Sequence, residues 1–543
     1  MDWERAWNCS ATARLLTRAR SDNESDGIET SSMMERTFGA PPRESVSETS
    51  LTESGVGRVA VTIAGPLVSA WRHSLTGDVL TARSPADIEP SFRGAVDGVA
   101  STLRPVATRL NAVRSRLGLF VLALGYTLLV LGVTWYMDQP LYDGAAPYTF
   151  TIPHPGLALV VIGLASLPTL WLPLEYRRPS QVVLWWLYPV AYIPVITLHA
   201  FVLSEPHLPF ALVVAGSFFT LRLSYYLPLV NVREHLSQPV FYRLLVLGSL
   251  TLAGLLLAVF GRSLSLAGLS EIYDVRASFR ATLQSFGAVF YRVIAYGITW
   301  LENVFVPMLI AGPLAGLMPT WVIGIGVSAM LVVYAVGAFK SALFAGVMGV
   351  GLYIALHDDG DHLPTYAMLA GPAVLTGLIT LDRLGAPPQL LGQGRRLLII
   401  PGYVTAFHVD YFSTNPHTWW AARTWIGLSY PYDAPVANII GKVYFGRPEQ
   451  VANAPLWGSD YAAAGLGGVL FVAVLLALAL YLLDCAAADL PKRFAGAAVA
   501  GMLTGLAYSS PINVFLLGGF GVLVSLLVLM PPSISASGTT RPH

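Results

Sequence analysis

The densest chemistry in this sequence lies between residues 408 and 461. HVDYFSTNPHTWWAARTW runs over 408–425, and YPYDAPVANIIGKVYFGRPEQVANAPLWGSDYAAAGLGG follows over 430–468. His408, Asp410, His417, Arg423, Asp433, Lys442 and Asp460 stand among Tyr411, Phe412, Trp419, Trp420, Trp425, Tyr430, Tyr432 and Trp457. A sugar ring has apolar faces edged by hydroxyls. It stacks on aromatic rings and hydrogen-bonds to carboxylates, amides and arginine, and this stretch offers all of them. A membrane interface also gathers Trp and Tyr at headgroup level. That belt does not account for two histidines, three aspartates and Arg423 in the same span.

A second stretch reads Glu271-Ile272-Tyr273-Asp274-Val275-Arg276, with Arg280 four residues on. On a helix Arg276 and Arg280 share a face. Two guanidinium groups there suit a phosphate or pyrophosphate, because each presents a planar fork of donors. The competing use for these arginines is pairing with Asp274, Glu271 or lipid phosphates. Other charged residues say less. Arg222 falls near a helix end and can snorkel, and Arg292 is placed to pair with Glu302. His357-Asp358-Asp359-Gly360-Asp361-His362 carries metal-ligand types, but the spacing fits no metal motif and reads as a polar loop. No metal or cofactor is expected. Cys9 and Cys485 are the only cysteines and are expected as free thiols.

The elements that must position these groups are membrane helices. Of 543 residues, 54% are hydrophobic and 12% charged, where soluble domains carry about 25% charged residues. The net charge of +1 gives no basic surface for nucleic acid. A spanning helix needs about 20 apolar residues. Runs over 117–137, 156–174, 182–203, 208–230, 242–260, 320–338, 341–356, 364–381, 462–483, 494–510 and 512–530 qualify. Residues 281–318 and 397–407 are ambiguous. The expected fold is an all-α polytopic bundle of about 12–14 membrane segments over 117–533. A short tail follows over 534–543. A tail over 1–116 precedes it, polar and unstructured to about residue 55 and then carrying amphipathic segments. No cleavable signal peptide is expected, since the first apolar run lies far from Met1.

Arginine placement predicts orientation. Arg104, Arg109, Arg114 and Arg116 put the N-terminus inside, and Arg177, Arg178, Arg233 and Arg243 agree. Beyond residue 260, parity decides. If 281–318 crosses once, Arg395, Arg396, Lys492 and Arg493 fall outside, unless 397–407 fails to cross. If it crosses twice or dips and returns, breaking near Glu302-Asn303 and Pro307, then Lys340, Arg383, Arg395, Arg396, Lys492 and Arg493 lie inside. The second option is preferred. It leaves 261–280 and 408–461 outside, carrying Arg262, Arg276, Arg280, Arg423, Lys442 and Arg447 against the usual bias.

Residues 240–530 resemble the O-antigen polymerase, or oligosaccharide repeat-unit polymerase, family. Tyr273-Asp274-Val275-Arg276 is similar to that family's exoplasmic arginine motif. Glu302-Asn303-Val304-Phe305-Val306-Pro307, then Lys340-Ser341, resembles its middle helices. Asp410-Tyr411-Phe412-Ser413-Thr414-Asn415-Pro416, Ile440-Gly441, Tyr444-Phe445-Gly446, Asn453-Ala454 and Trp457 to Gly468 resemble its large loop and the following helix. The order and spacing carry more than any one motif, and the N-terminal tail is outside the pattern. The resemblance implies a multi-pass, GT-C-like glycosyltransferase of the cell membrane. Its substrate would be a polyprenyl-pyrophosphate-linked oligosaccharide, joined on the outer face without a metal. A flippase and a chain-length regulator are the protein partners it suggests. His408, Asp410 or His417 would take the acceptor proton. Arg276, Arg280, Arg423, Tyr273, Asp433, Lys442, Asn453, Trp457 and Asp460 would bind substrate. An O-antigen ligase, a lipid-linked oligosaccharide flippase and a scaffold subunit are the competing readings.

Overall fold

The computed structural model describes residues 94, 97–99, 101, 115–137, 150–261, 264, 272–357, 362–385, 394–421 and 428–531. The expected N-terminal amphipathic segments lie almost entirely outside them, as do the C-terminal tail, Arg423, Arg262 and most of the 357–362 loop. Among the described residues every regular element is helical. Seven helices are long and apolar enough to cross a bilayer: Arg116–Tyr136, Pro179–Val202, Leu208–Tyr226, Gln238–Phe260, Val289–Leu314, Leu363–Arg383 and Leu456–Ala486. Shorter apolar helices include Pro155–Leu170, Val322–Gly337, Lys340–Ala355 and Phe520–Leu529. The chain is thus a multi-pass helical membrane protein.

Perimeter and core helices differ as their side chains require. Helix 116–137 exposes Leu117, Val121 and Leu128 along one stripe and buries Leu119, Ala123, Tyr126 and Val130 on the other side, the division expected of a helix between lipid and protein. Helix 179–202 is apolar all round and buried on nearly every side. It tolerates Pro189 and Pro194 by relaxing into a π turn over Tyr188–Tyr192.

The ambiguous 281–318 region resolves differently from expectation. A helix over Ile272–Ser285 precedes one apolar helix, Val289–Leu314, which is long enough for a single crossing. Pro307 has no N–H to give to Asn303. The chain answers with a π turn over Leu301–Phe305, where the Val306 N–H bonds Leu301, and the helix then continues. Pro307 therefore bulges the helix where two half-helices were expected.

Contacts between helix ends sort the basic residues. At one end of the bundle Arg116 donates to the carbonyls of Thr169 and Leu172 at 2.7 and 3.1 Å. There also Arg178 reaches Leu227 O at 2.8 Å, Tyr176 donates to Lys492 O at 2.8 Å, and Arg493 lies 4.0 Å from the Tyr353 ring centroid. At the other end Arg383 lies 5.0 Å from the ring centroid of Tyr136, which is 20 residues, or about 30 Å of helix, from Arg116. Lys340 begins the helix whose far end holds Tyr353, so about 20 Å separates it from Arg493.

The expectation that Lys340, Arg383, Arg395 and Arg396 share a side with Lys492 and Arg493 is therefore corrected. The parity alternative holds instead. Residues 289–314 form one span, and the helix over Ile400–Thr414, about 22 Å long, is too short to cross.

Candidate functional site

Helix 272–285 docks on the break between helices 322–337 and 340–355. Ala338 occupies the left-handed region there (φ 51°) and ends the first of them. Phe279 packs edge-on against Phe339, with centroids 5.3 Å apart. On the same face, three residues earlier, Arg276 donates to Ala338 O at 3.2 Å, with its guanidinium carbon 5.8 Å from the Phe339 ring centroid. Arg280, one turn on, is exposed. The Tyr273 side chain lies outside the described residues.

Three cations that the preferred topology placed on the opposite side join Arg276 here. Lys340, two residues beyond Ala338, is within electrostatic reach of both Arg276 and Arg396. Arg395 donates to Tyr403 Oη at 3.2 Å, and Tyr508 donates to Arg396 O at 2.8 Å. Glu302, on the π turn, is buried beside Arg276 and held by a hydrogen bond from Ser341. The expected pairing of Glu302 with Arg292 is not found; Arg292 is exposed. Arg276 thus faces the buried Glu302 while Lys340 lies within reach of Arg276 and Arg396, a gathering of positive charge that an anion with several oxygens matches. The nearest hint in sequence is Lys340-Ser341, one of the short stretches that carry the resemblance.

A polar and aromatic stripe continues from Arg395. The stretch expected as one loop over 408–461 begins as helix and holds further helices at Val436–Phe445 and from Leu456 on. Its polar residues sit on a helix that the apolar run IPGYVTAF had already started. Val404, Thr405, His408, Val409 and Phe412 take the buried face. His408 lies there, 1% exposed, with Nδ1 hydrogen-bonded to Val404 O at 2.8 Å, the tautomer being inferred from that bond. On the opposite face Tyr403, Phe407 and Asp410 follow at i, i+4 and i+7. Helix 436–445 covers them. Phe407 and Tyr444 stack with centroids 4.4 Å apart, and the Tyr444 hydroxyl donates to Asp410 Oδ2 at 2.5 Å. Burial, and then the Asp410 carboxylate, push the Tyr444 phenol well above its ordinary range.

Beside Asp410, Tyr432 donates to Pro416 O and packs against Tyr411 and Phe412 at 6.2 and 5.9 Å. Its partial burial pushes its phenol up to about 12. His417 stacks on Phe412 and meets Tyr461 edge-on at 5.9 Å. Asp433, Lys442 and Asn453 are exposed around the rim. Two residues expected to touch substrate are core residues instead. Trp457 is 1% exposed, donates to Ser217 Oγ at 2.7 Å, and packs between Tyr192 and Phe218. Asp460 is also buried and accepts from Ser510 Oγ at 2.7 Å. Their polarity suggested a loop, but burial of a Trp N–H and a carboxylate requires such partners.

The structure thus brings Arg276, Asp410 and His417 to one side of the bundle, with His408 behind them. No cluster of metal-ligand side chains occurs among the described residues. Comparison with protein-family models, with curated proteins and with solved structures finds no match. What is established is a helical protein with seven candidate membrane spans.

Proposed function

We propose that this protein polymerises polyprenyl-pyrophosphate-linked oligosaccharide repeat units into a surface polysaccharide on the outer face of the membrane. The observation that carries the reading is the meeting of Arg276, Lys340, Arg395 and Arg396 at the end of the bundle away from Arg116, Arg178, Lys492 and Arg493. By the arginine rule the latter end is cytoplasmic. A cation cluster on the exoplasmic side runs against the insertion bias, and a bound polyanion is a use that would retain it.

In this reading the four cations hold the donor pyrophosphate and stabilise it as it leaves the anomeric carbon. The acceptor lies over Tyr411, Tyr432 and Tyr444, with its hydroxyl at Asp410. As the new C–O bond forms and the bond to pyrophosphate breaks, through an oxocarbenium-like transition state, Asp410 takes the hydroxyl proton. Asp410 is favoured over His408 because it is half-exposed while His408 is enclosed, and His417, equally half-exposed, is the second candidate. Deletion of the gene followed by profiling of surface glycan length tests the function. A polymerase deletion leaves single repeat units. Lipid-linked polymer left unattached would mean a ligase.

A flippase reading has one observation of its own. Helix 456–486 is kinked at Ala464 and Gly465, and interrupted helices line many transport paths. Repeat units retained on the cytoplasmic leaflet after deletion would favour it.

A further inference from the structure

At the cytoplasmic end of the bundle, far from the cation cluster, Arg222 is fixed in an aromatic cage. Its guanidinium carbon lies 4.6 Å from the Phe219 ring centroid, 4.7 Å from Tyr226 and 5.8 Å from Trp171. Nη2 also donates to the Tyr226 hydroxyl at 2.6 Å. Trp171 is itself held, since Tyr225 donates to its carbonyl at 3.2 Å and its ring meets Phe219 edge-on.

A snorkelling arginine needs none of this. Rings on several sides and a bond to one of them restrict a side chain that otherwise has many rotamers, and that restriction costs entropy. Among the described residues no carboxylate pairs with Arg222. The cage engages the hydroxyls of Tyr226 and Tyr225 and the π faces, leaving the remaining N–H groups of a preoriented fork.

Two further features surround it. Leu212, Gly216, Phe219 and Leu223, at i, i+4, i+7 and i+11, make an exposed stripe that runs from the cage along helix 208–220 and the turn after it. Gly216 leaves a notch in this stripe, with open space where a Cβ would stand. Arg116 and Arg178 also lie on this end, donating to nearby carbonyls. A fixed cation at the end of an apolar notched stripe matches one molecule in shape and charge.

We propose that Arg222 and its cage form a binding site for one anionic membrane phospholipid. The phosphodiester sits on the free edge of the guanidinium, and one hydrocarbon chain follows Leu223, Phe219 and Leu212 over the notch at Gly216. The added field of Arg116 and Arg178 selects a headgroup with net negative charge.

Native mass spectrometry of the full-length protein, titrated with phosphatidylglycerol, phosphatidylcholine or inorganic phosphate, tests this. The wild type should retain one phosphatidylglycerol in preference to phosphatidylcholine. Arg222→Gln should weaken that retention roughly 10- to 100-fold, the loss of one charge-assisted contact. Arg222→Lys, which keeps the charge without the fork, should recover little of it. Gly216→Leu fills the notch and should weaken retention with Arg222 intact, which keeps the test decisive if Arg222→Gln does not fold. Wild-type retention in Arg222→Gln or in Gly216→Leu would overturn the site. So would equal retention of phosphatidylcholine, or competition by inorganic phosphate at similar concentration, which would mark a free-anion site.

Discussion

Arg276 donates to Ala338 O, lies near the Phe339 ring and faces Glu302, within electrostatic reach of Lys340. A lysine there keeps the charge but cannot make these contacts together. Arg276→Lys is expected to lower polymer formation roughly 10- to 100-fold at matched protein level, given about 1.5–3 kcal/mol for each charge-assisted bond. Arg280→Lys should have a far smaller effect, since Arg280 is exposed on the next turn. Glycan chain length in cells separates the two, and an equal loss in both variants would contradict this division of roles. Asp410→Asn should abolish transfer while Tyr444→Phe, which removes only the hydroxyl bonded to Asp410, lowers it partially. Wild-type chain length in Asp410→Asn would remove Asp410 from the proton-accepting role. Arg276 and Asp410 were legible in the sequence because charged groups beside aromatics or on the wrong side of a membrane stand out. Lys340, Arg395 and Arg396 were not, because their side depends on how often the chain crosses before them.

Short helices and their breaks supply the rest of the site. The kink in helix 456–486 sits at Gly465, whose φ of 60° suits glycine. A Cβ there would stand 3.0 Å from His417 Nε2. Thr418 and Trp419 then donate to the carbonyls of Ala462 and Ala463, tying the loop to the end of the short arm. Gly465→Ala should therefore both strain the kink and displace His417, lowering activity with moderate loss of thermal stability, about 1–3 kcal/mol. Unchanged activity and melting temperature in that variant would show that the kink holds nothing in place. The apolar runs made the long helices legible, through length alone. Helix 400–414 was not legible past residue 407, because HVDYFST looks like a loop until its buried face is known. The π turn at Leu301–Phe305 was equally hidden: Glu302, Asn303 and Pro307 signal a disturbance but not whether the helix stops.

For the molecule as a whole, one crossing by 289–314 reverses the side of everything between residues 315 and 400 relative to a double crossing. A single cysteine at Leu384 should therefore label from the same side as one at Ser413, and one at Ala488 from the other. In intact cells an impermeant thiol reagent should reach the first two and label Ala488→Cys only after lysis. Labelling of Leu384→Cys together with Ala488→Cys would restore the double crossing and disperse the cation cluster. The account rests most heavily on that cluster's holding a pyrophosphate during polymerisation. Its most direct test is the reaction of the purified protein with a polyprenyl-pyrophosphate oligosaccharide, followed as chain length and as released polyprenyl pyrophosphate. The account predicts a ladder of lengthened chains from the wild type. It predicts a single-unit product profile from the variant carrying Lys340→Gln and Arg396→Gln, with the variant still folded. A ladder of wild-type length from that variant, or no chain growth by the wild type on any such substrate, would contradict it.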